Sequence, residues 1–238
     1  MTALTLKHVK IFADGADLEG MISLAARPEI AGFTTNPTLM RKSGVEDYEA
    51  FARKVLDVIT DRPISFEVFA DHPAGMVRQA RLIASWGSNV YVKVPVTDTT
   101  GAPTMAVVEQ LTAEGVQLNV TALMTVAQVE RVTAALAGTR GAVVSVFAGR
   151  ITDTGRDPIP IMVESLRVTS AQPKVSLLWA SPREILNVWQ ADQIGVDIIT
   201  VTHDVLPKLA LAGRDLDAYS LDTVRMFYDD ARAAGYQL

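Results

Sequence analysis

Short runs of β-forming residues alternate with longer amphipathic segments along the whole chain of 238 residues. Strand followed by helix, repeated in this way, is the pattern of βα units around a parallel sheet. The predicted strands are 9–13, 32–35, 64–68, 90–94, 117–120, 142–146, 174–179 and 198–201. The helices predicted after them are 18–26, 47–59, 73–85, 104–113, 125–136, 159–169, 182–193 and 205–211, and a ninth, 221–234, ends the chain.

Two architectures share this alternation: a closed barrel and an open, doubly wound sheet. No G-x-G-x-x-G or G-x-x-x-x-G-K-[ST] motif follows any predicted strand, which disfavours the nucleotide-binding doubly wound folds. No linker or change of composition divides the chain, and roughly 200 to 250 residues is an ordinary size for one barrel. We therefore predict an α/β fold, a single (β/α)8 TIM barrel domain over residues 1–238 with an additional C-terminal helix.

Three of the predicted helix starts carry a local signal. Pro73 and Pro182 suit the first position of a helix, where a backbone N–H is not needed. Ser220 precedes Leu221 and is predicted to be the N-cap of the last helix.

The composition of the chain excludes several classes of protein. Hydrophobic residues make up 49% and charged residues 21%, so the chain can form a large core and does not have a disordered composition. The net charge of −5 argues against a nucleic-acid-binding protein. Because the chain has no cysteine, disulfides, thiolate nucleophiles and zinc–thiolate sites are excluded.

Neither a membrane segment nor a metal site is predicted. No stretch approaches the ~18 apolar residues of a membrane span, and residues 1–10 lack the continuous apolar core of a signal peptide. His8, His72 and His203 have neither the paired spacing of metal ligands nor a neighbouring nucleophile pattern. We therefore predict a cytoplasmic protein that binds no membrane, no metal ion and no cofactor.

Polar residues end or follow most of the predicted strands. In a parallel barrel the active site lies at the carboxyl ends of the strands, so these side chains are expected to meet there. They are Asp14, Thr35, Asn36, Glu67, Lys93, Asn119, Thr121, Ser145, Arg150, Ser181 and Arg183.

Lys93 is the most informative of these residues, because it lies inside the apolar run VYVKVPV at residues 90–96. Burial disfavours the ammonium form of a lysine, and the neutral amine attacks a ketone or aldehyde carbonyl to form a Schiff base. Lys93 is thus a candidate covalent catalyst. The alternative is a strand-end lysine that reaches solvent or pairs with a carboxylate.

Asp14 and Glu67 are carboxylates at predicted strand ends. They could take a proton from a substrate hydroxyl and exchange protons beside Lys93, or they could simply form a salt bridge with that lysine. Asn36 and Asn119 could donate hydrogen bonds to substrate hydroxyls, or they could only close the turns after their strands. The pattern leaves both pairs of alternatives open.

Arg150 and Arg183 are candidates for an anion site. Arg150 follows the run SVFAG, and Arg183 follows Ser181 and Pro182 at the predicted start of a helix. Backbone N–H groups at a helix start also favour anions, so the two arginines could hold a phosphate together. The alternative is that each arginine forms a surface ion pair.

Several linked motifs resemble those of the transaldolase family. FTTNPTL at 33–39 is similar to the TTNP signature of that family, and VKVP at 92–95 resembles its Schiff-base strand. The likeness continues, in the same order and at compatible spacing, through FAD at 12–14, Glu67, NVT at 119–121 and SVFAGRI at 145–151. It covers nearly the whole chain.

The resemblance implies a reaction and roles for individual residues. Lys93 attacks the C2 carbonyl of a ketose phosphate, Asp14 removes the C4 hydroxyl proton as the carbon–carbon bond breaks, and an aldose phosphate accepts the remaining dihydroxyacetone unit. Glu67 and Thr121 hold the water that carries protons. The implied substrate-binding residues are Thr35, Asn36, Asn119, Ser145, Phe147, Arg150, Ser181 and Arg183.

The family contains both transaldolases and short enzymes similar to fructose 6-phosphate aldolase, and this chain has the compact length of the second group. Transaldolases carry Glu where the aldolases carry Gln, and Phe where they carry Tyr. The chain has Glu67 and Phe147, so the resemblance implies a transferase. The alternatives are an aldolase that releases free dihydroxyacetone, an enzyme for a modified sugar, and a noncatalytic barrel that binds a sugar phosphate.

Two alignments are open at the anion end of the site. Matching Ser181 and Arg183 to the phosphate-binding pair of the family requires a small deletion, whereas a gapless match places Leu178 and Ala180 there. A changed anion pocket could accept a different sugar phosphate, or a sulfonated or unphosphorylated sugar.

The C-terminal segment, residues 220–238, is amphipathic. It could cover the barrel or pack on a neighbouring subunit. A homo-oligomer is therefore an open alternative to a monomer.

Overall fold

A closed barrel of eight parallel strands is the central feature of the computed structural model, which describes residues 6–238. The strands are β1 (Lys10–Asp14), β2 (Ile30–Thr34), β3 (Ile64–Glu67), β4 (Val90–Pro95), β5 (Leu118–Leu123), β6 (Ala142–Val146), β7 (Val175–Trp179) and β8 (Ile198–Thr202). Each strand pairs with the next along the chain, and β8 pairs with β1. The predicted (β/α)8 barrel is confirmed.

Helices follow the strands in the order that the alternating pattern predicts. They are α1 (Leu18–Ala25), α2 (Pro37–Lys42), α3 (Tyr48–Leu56), α4 (Pro73–Ala84), α5 (Met105–Ala113), α6 (Val126–Ala135), α7 (Ala148–Asp153), α8 (Ile159–Thr169), α9 (Leu186–Ile194) and α10 (Leu216–Ala233). A 3₁₀ helix, Leu206–Leu211, takes the place of the α-helix predicted over 205–211. The additional C-terminal helix is confirmed as α10.

Two compact units divide the chain. Residues 6–206 hold all eight strands and helices α1 to α9, and residues 207–238 hold α10. The single domain expected over residues 1–238 stays a prediction.

Within residues 6–238, none of the helices has both the length and the apolar character needed to cross a bilayer.

The start of α9 differs from its prediction. Pro182 was expected at the first helical position, but this is wrong, because α9 begins at Leu186. The backbone N–H groups of Arg183 and Glu184 donate instead to the side-chain oxygen of Asn187, at 2.8 and 3.2 Å. That side chain holds residues 182–185 as a loop at the mouth of the barrel. Pro73, by contrast, is the first residue of α4, as predicted.

The start of α10 is also earlier than predicted. Ser220 was expected to cap this helix, but the structure assigns the N-cap to Asp215, whose carboxylate accepts the backbone N–H of Ala218. Aspartate satisfies the free N–H groups of a first turn as well as serine does. The prediction of Ser220 as the cap is therefore wrong.

Two short helices, α2 and α7, were not predicted. Each has six residues, which is too short for a helical period to be visible in the sequence. α2 begins at Pro37 after the N-cap Asn36, whose side chain accepts the backbone N–H of Leu39. Both helices follow strands directly, and so they lie at the carboxyl end of the barrel.

The alternation of side chains along each strand decides which residues face the barrel interior. The register places Glu67 of β3 opposite Lys93 of β4, and Lys93 opposite Asn119 of β5. Val92 and Val94 alternate with Lys93, are fully buried, and face the surrounding helices. The sheet therefore brings three polar side chains from adjacent strands to one level of the interior.

Candidate active site

A cavity of about 510 Å³ opens at the carboxyl ends of the strands. Ten of the predicted site residues line it: Asp14, Asn36, Glu67, Lys93, Thr121, Ser145, Phe147, Arg150, Ser181 and Arg183. Thr35 and Asn119 do not. The fold thus brings together most of the polar residues that the strand ends predicted.

Lys93 lies at the base of this cavity with only 6% of its surface exposed. Its Nζ donates a hydrogen bond to the carbonyl oxygen of Thr35 at 2.9 Å, and it lies 3.7 Å from Oε2 of Glu67. An amine held in this way has a fixed position and one neighbouring carboxylate. The predicted ion pair with Glu67 and the predicted catalytic position are therefore compatible, because Lys93 lies near Glu67 and also lines the cavity.

Tyr48 of α3 fixes the backbone of Glu67. Its hydroxyl accepts the backbone N–H of Glu67 at 2.7 Å and donates to the carbonyl oxygen of the same residue at 2.9 Å. The ring packs edge-on against Phe66 and Phe69, with centroids 6.3 and 5.5 Å away. Burial raises the pKa of this hydroxyl, which stays protonated and keeps both hydrogen bonds.

Asp14 and Glu67 are both held in environments that favour their protonated forms. Burial raises the pKa of Asp14, and the Lys93 charge and the hydrogen bond from Thr34 oppose this in part. Burial also raises the pKa of Glu67; Lys93 opposes the shift and the charge of Asp14 adds to it. A raised pKa makes a carboxylate a stronger base than an ordinary Asp or Glu, which suits it to take a proton from a substrate or water and return it.

A chain of two threonines orients Asp14. Thr34 Oγ1 donates to Asp14 Oδ1 at 2.7 Å, and Thr34 and Thr200 share a hydrogen bond of 2.5 Å between their hydroxyls. Because the single Thr34 proton points to Asp14, Thr200 is the donor in the second bond. Both threonines line the cavity, and the sequence analysis did not select either of them.

Thr121 presents an unused hydroxyl to the cavity. Its Oγ1 is buried and has no hydrogen-bond partner within residues 6–238. Leaving such a group unsatisfied costs about 1–3 kcal/mol, so its place in the same cavity as Lys93 favours a role in holding water or substrate. The next residue, Ala122, adopts a left-handed backbone with a φ of 66°, where the register between β5 and β6 shifts.

Asn119 and Thr35 support the cavity from below its lining. Asn119 Nδ2 donates to Ser65 Oγ at 3.0 Å, and its Oδ1 accepts the hydroxyl of Ser145 at 2.6 Å. Thr35 turns its hydroxyl to the carbonyl oxygen of Ser65 at 2.9 Å. Their predicted contact with substrate stays a prediction, because in this structure both side chains bond to the protein.

The two predicted arginines, Arg150 and Arg183, both line the cavity, but their contacts differ. Arg150 lies over the ring of Phe147, 5.7 Å from its centroid. Arg183 forms an ion pair with Asp153 at the end of α7, with Nε 2.9 Å from Oδ1. Arg150 is thus the arginine better placed for an anion. Arg183 combines the predicted surface pair with a place in the lining.

The loop after β7 explains how Ser181 reaches this side of the cavity. Ser181 has a left-handed backbone with a φ of 58°, and its carbonyl oxygen approaches Gly149 so closely that a Cβ there would lie 1.5 Å away. Leu178 and Ala180 also line the cavity, so both alignments of strand seven correspond to residues near the site. The close approach makes Gly149 a requirement of this arrangement.

Gly149→Ala is expected to destabilise the protein by more than about 3 kcal/mol and to lower activity, because a backbone atom and not a flexible side chain blocks the new methyl group. Thermal unfolding measures the first effect. Gly101→Ala is the control, since Gly101 has a φ of 87° but open space around it, and it should lose only about 1–2 kcal/mol. Equal losses in the two variants would contradict the packing described here.

Tyr48→Phe is expected to lower kcat several-fold and stability by about 1–3 kcal/mol, because the N–H of Glu67 loses its partner. KM should change little, since Tyr48 is not part of the cavity lining. The steady-state rate against pH checks the positioning role, because displacement of Glu67 shifts the profile. Tyr228→Phe, on the exposed surface of α10, is the control; an unchanged profile in Tyr48→Phe would contradict the proposed positioning.

The site also contains residues that the sequence analysis missed. The signal for Thr200 was present, because it alternates with the apolar Ile199 and Val201 in strand β8 and so faces the interior. Lys42 lines the cavity from the last turn of α2, and it was missed with that helix. Tyr48 gave no signal, since only the tertiary fold brings it to Glu67.

Across residues 6–238, no group of three potential metal-binding side chains occurs.

Comparison with known proteins identifies the family. The profile of the family described as Transaldolase/Fructose-6-phosphate aldolase matches residues 11–238. The chain belongs to this family. A Dehalococcoides mccartyi protein named "Probable transaldolase" is 34% identical over 202 residues, which are 84% of this chain and 90% of that protein. A Methanococcus maripaludis protein of the same name is 36% identical over 203 residues, or 84% of this chain and 89% of that protein.

The fold of this transaldolase-family chain also matches solved structures. Dihydrodipicolinate synthase from Rhodopseudomonas palustris superimposes with a TM-score of 0.53 and covers 95% of this chain and 82% of that one. Its sequence identity of 15% supports the shared barrel fold alone. The family resemblance noted in the sequence is confirmed, and the chain is an enzyme of the transaldolase type.

Proposed function

We propose that this enzyme is a transferase that moves a dihydroxyacetone unit from a ketose phosphate to an aldose phosphate through a Schiff base on Lys93. The observation that carries the proposal is the position of Lys93 Nζ, 3.7 Å from Glu67 Oε2 and inside a cavity that the unused Thr121 hydroxyl also lines. A nucleophile, a proton carrier and a free hydrogen-bonding group thus lie together in a confined space.

Formation of the Schiff base needs both an amine and a route for protons. The Lys93 nitrogen adds to the C2 carbonyl of the ketose, and the C2 oxygen then leaves as water. Protons must first reach this oxygen; when the Schiff base is hydrolysed, they must be taken from the water that attacks C2 and delivered to the departing lysine nitrogen. The raised pKa of Glu67 suits it to this exchange, and Thr121 is placed to hold the water.

Carbon–carbon cleavage assigns a different task to Asp14. Its carboxylate takes the proton of the C4 hydroxyl, the C3–C4 electron pair moves toward the iminium nitrogen, and an aldose phosphate departs. A dihydroxyacetone enamine remains on Lys93. Reversal of these steps with another aldose phosphate forms the new carbon–carbon bond. The threonine chain from Thr200 through Thr34 keeps Asp14 oriented toward the cavity.

Glu67 and Phe147 support transfer over release of free dihydroxyacetone. By resemblance, transaldolases have these residue types where the aldolases have Gln and Tyr. Both side chains line the cavity, so both can influence whether the enamine meets water or an acceptor. Release by an aldolase-type reaction is the second candidate, since the family description includes both activities.

Dependence on an acceptor separates the two candidates. The enzyme is incubated with fructose 6-phosphate, with and without erythrose 4-phosphate, and the products are separated by chromatography. A transferase gives sedoheptulose 7-phosphate with the acceptor present and little free dihydroxyacetone without it. Steady formation of free dihydroxyacetone at the same rate in both mixtures would overturn the transferase proposal in favour of the aldolase.

The anion end of the cavity supports a phosphorylated substrate. Arg150 lines it without a carboxylate partner among the described ion pairs, whereas Arg183 is paired with Asp153. We propose that Arg150 binds the phosphate and that Ser181 adds a hydrogen bond. Activity toward a sulfonated or unphosphorylated sugar at the same kcat/KM would instead favour the modified-sugar alternative.

Thr121→Val is expected to slow formation and hydrolysis of the Schiff base by about 10- to 100-fold, because water loses a positioned partner. Stability should stay the same or rise slightly, since the change removes a buried hydroxyl that has no protein partner. Steady-state rates and thermal unfolding measure the two effects. Thr112→Val is the control, because the buried hydroxyl of Thr112 in α5 also lacks a hydrogen-bond partner within residues 6–238 but lies outside this cavity. Equal rates in the two variants would contradict the role of Thr121.

A further inference from the structure

A second cavity, of about 340 Å³, lies at the opposite end of the barrel from Lys93. Its lining includes Lys10, the first residue of β1, Lys174, which directly precedes β7, and Ile198, the first residue of β8. Because these positions are at the amino ends of the strands, the cavity opens at the face away from the catalytic residues. None of the reaction steps described above uses it.

The lining of this amino-end cavity is mixed, with apolar side chains forming one part of its wall. Phe12, Val143 and Ile198 are buried and belong to one hydrophobic cluster, against which the ring of Tyr91 packs. Gly32 leaves room for the Phe12 ring, since a Cβ at that position would lie 2.5 Å from the ring. These side chains form a pocket suited to a ring or a branched hydrocarbon group.

Hydroxyl groups in the lining, among them those of Ser65 and Tyr91, have hydrogen-bonding capacity left over within residues 6–238. Ser65 Oγ accepts a hydrogen bond from Asn119 at 3.0 Å, but within residues 6–238 it donates none. The Tyr91 hydroxyl likewise makes no hydrogen bond to the described part of the chain, and burial raises its pKa. Both groups are therefore protonated donors that lack a protein acceptor.

The mouth of the amino-end cavity is cationic although the whole chain carries a net charge of −5. Lys10 and Lys174 line it together with one acidic residue, Asp197. One oxygen of Asp197 already accepts the backbone N–H of Leu177 at 2.7 Å. Neither lysine forms an ion pair within residues 6–238, so both charges are available to an incoming anion.

We propose that the amino-end cavity binds a small carboxylate with an aromatic or branched aliphatic body. The hydrocarbon part packs against Phe12, Val143 and Ile198, and the carboxylate lies at the mouth near Lys10 and Lys174. This binding site is separate from the Schiff-base site and does not depend on the proposed transferase reaction.

Calorimetric titration of the full chain tests the site with two defined probes, benzoate and 4-methylpentanoate. At least one probe should bind saturably to one site per chain, and the neutral amide of that probe should bind at least about 10-fold more weakly. Lys10→Gln combined with Lys174→Gln should weaken binding by at least about 10-fold. Lys54→Gln combined with Lys208→Gln removes the same number of exposed charges elsewhere and should leave binding unchanged.

One further variant separates the amino-end cavity from the catalytic cavity. Arg150→Gln removes a cation from the catalytic cavity and should not change the affinity for the probe. Loss of binding in Arg150→Gln would place the probe in the catalytic cavity and overturn the proposal. The proposal is also overturned if neither probe binds, or if the variant that lacks Lys10 and Lys174 keeps full affinity while unfolding at the same temperature as the wild type.

Discussion

Lys93→Met is expected to lower turnover by about 10⁴-fold or more, because methionine fills a similar volume but cannot form a Schiff base. The loss should appear in kcat for every ketose donor. Removal of the cation also takes away the attraction that holds down the pKa values of Asp14 and Glu67, so both should rise further. Steady-state kinetics with a coupled assay measure the loss of turnover.

Two controls separate nucleophilic catalysis by Lys93 from its charge. Lys93→Arg keeps a cation near Glu67 but provides no amine that forms a stable imine, so it should be as inactive as Lys93→Met. Lys54→Met changes an exposed lysine of α3 and should keep full activity. Circular dichroism checks that each variant folds. Ordinary turnover by folded Lys93→Met would contradict covalent catalysis.

Asp14→Asn is expected to lower kcat by about 10²- to 10⁴-fold, because the amide cannot accept the proton of the C4 hydroxyl. The Schiff base itself should still form, since that step depends on Lys93 and its proton carriers. Borohydride should therefore trap the uncleaved six-carbon sugar phosphate on this variant, and intact mass spectrometry distinguishes that adduct from a three-carbon one.

The pH dependence of the wild type adds a second check on Asp14. The carboxylate is the active form of a base, so activity should rise with pH as Asp14 loses its proton. Because burial raises the pKa of Asp14, this rise should lie above the ordinary range of an aspartate. Asp57→Asn, an exposed position at the end of α3, is the control and should keep the wild-type profile.

In the borohydride experiment, a three-carbon adduct formed at the normal rate on Asp14→Asn would contradict the role of Asp14 in cleavage.

The barrel could be predicted from sequence because its strands are buried. Few other folds are compatible with short apolar runs that alternate with amphipathic segments. The same physics predicted the strand-end positions of Asp14, Glu67 and Lys93. The details of the mouth could not be predicted in this way. The six-residue helices α2 and α7 are stabilised by their surroundings, and their sequences show no helical period.

Side-chain direction was the harder part of the site to predict. Thr34 and Thr35 are adjacent, and a shift of one residue in a strand exchanges the interior and exterior faces. The structure places Thr34 in the cavity lining and turns the hydroxyl of Thr35 to the carbonyl oxygen of Ser65. Tyr48 illustrates a different limit. Its side-chain hydroxyl contacts the backbone of Glu67, which lies 19 positions away in the sequence.

The anion side of the site shows why a motif does not fix a binding mode. Both arginines follow strands at the expected places, yet Arg183 is paired with Asp153 while Arg150 lies over Phe147. The sequence shows that these four residues are present, but it does not show which of them contact one another. The ion pair between the loop residue Arg183 and the helix residue Asp153 depends on loop conformation, here on the left-handed Ser181 and its close approach to Gly149.

Intact mass spectrometry after borohydride reduction tests the central claim most directly. The wild type and Lys93→Met are each incubated with fructose 6-phosphate or sedoheptulose 7-phosphate and then reduced, and peptide mapping locates any adduct. We expect a stable three-carbon adduct on Lys93 in the wild type and none in Lys93→Met. Turnover without an adduct, or an adduct of the same mass on another lysine in both proteins, would contradict it.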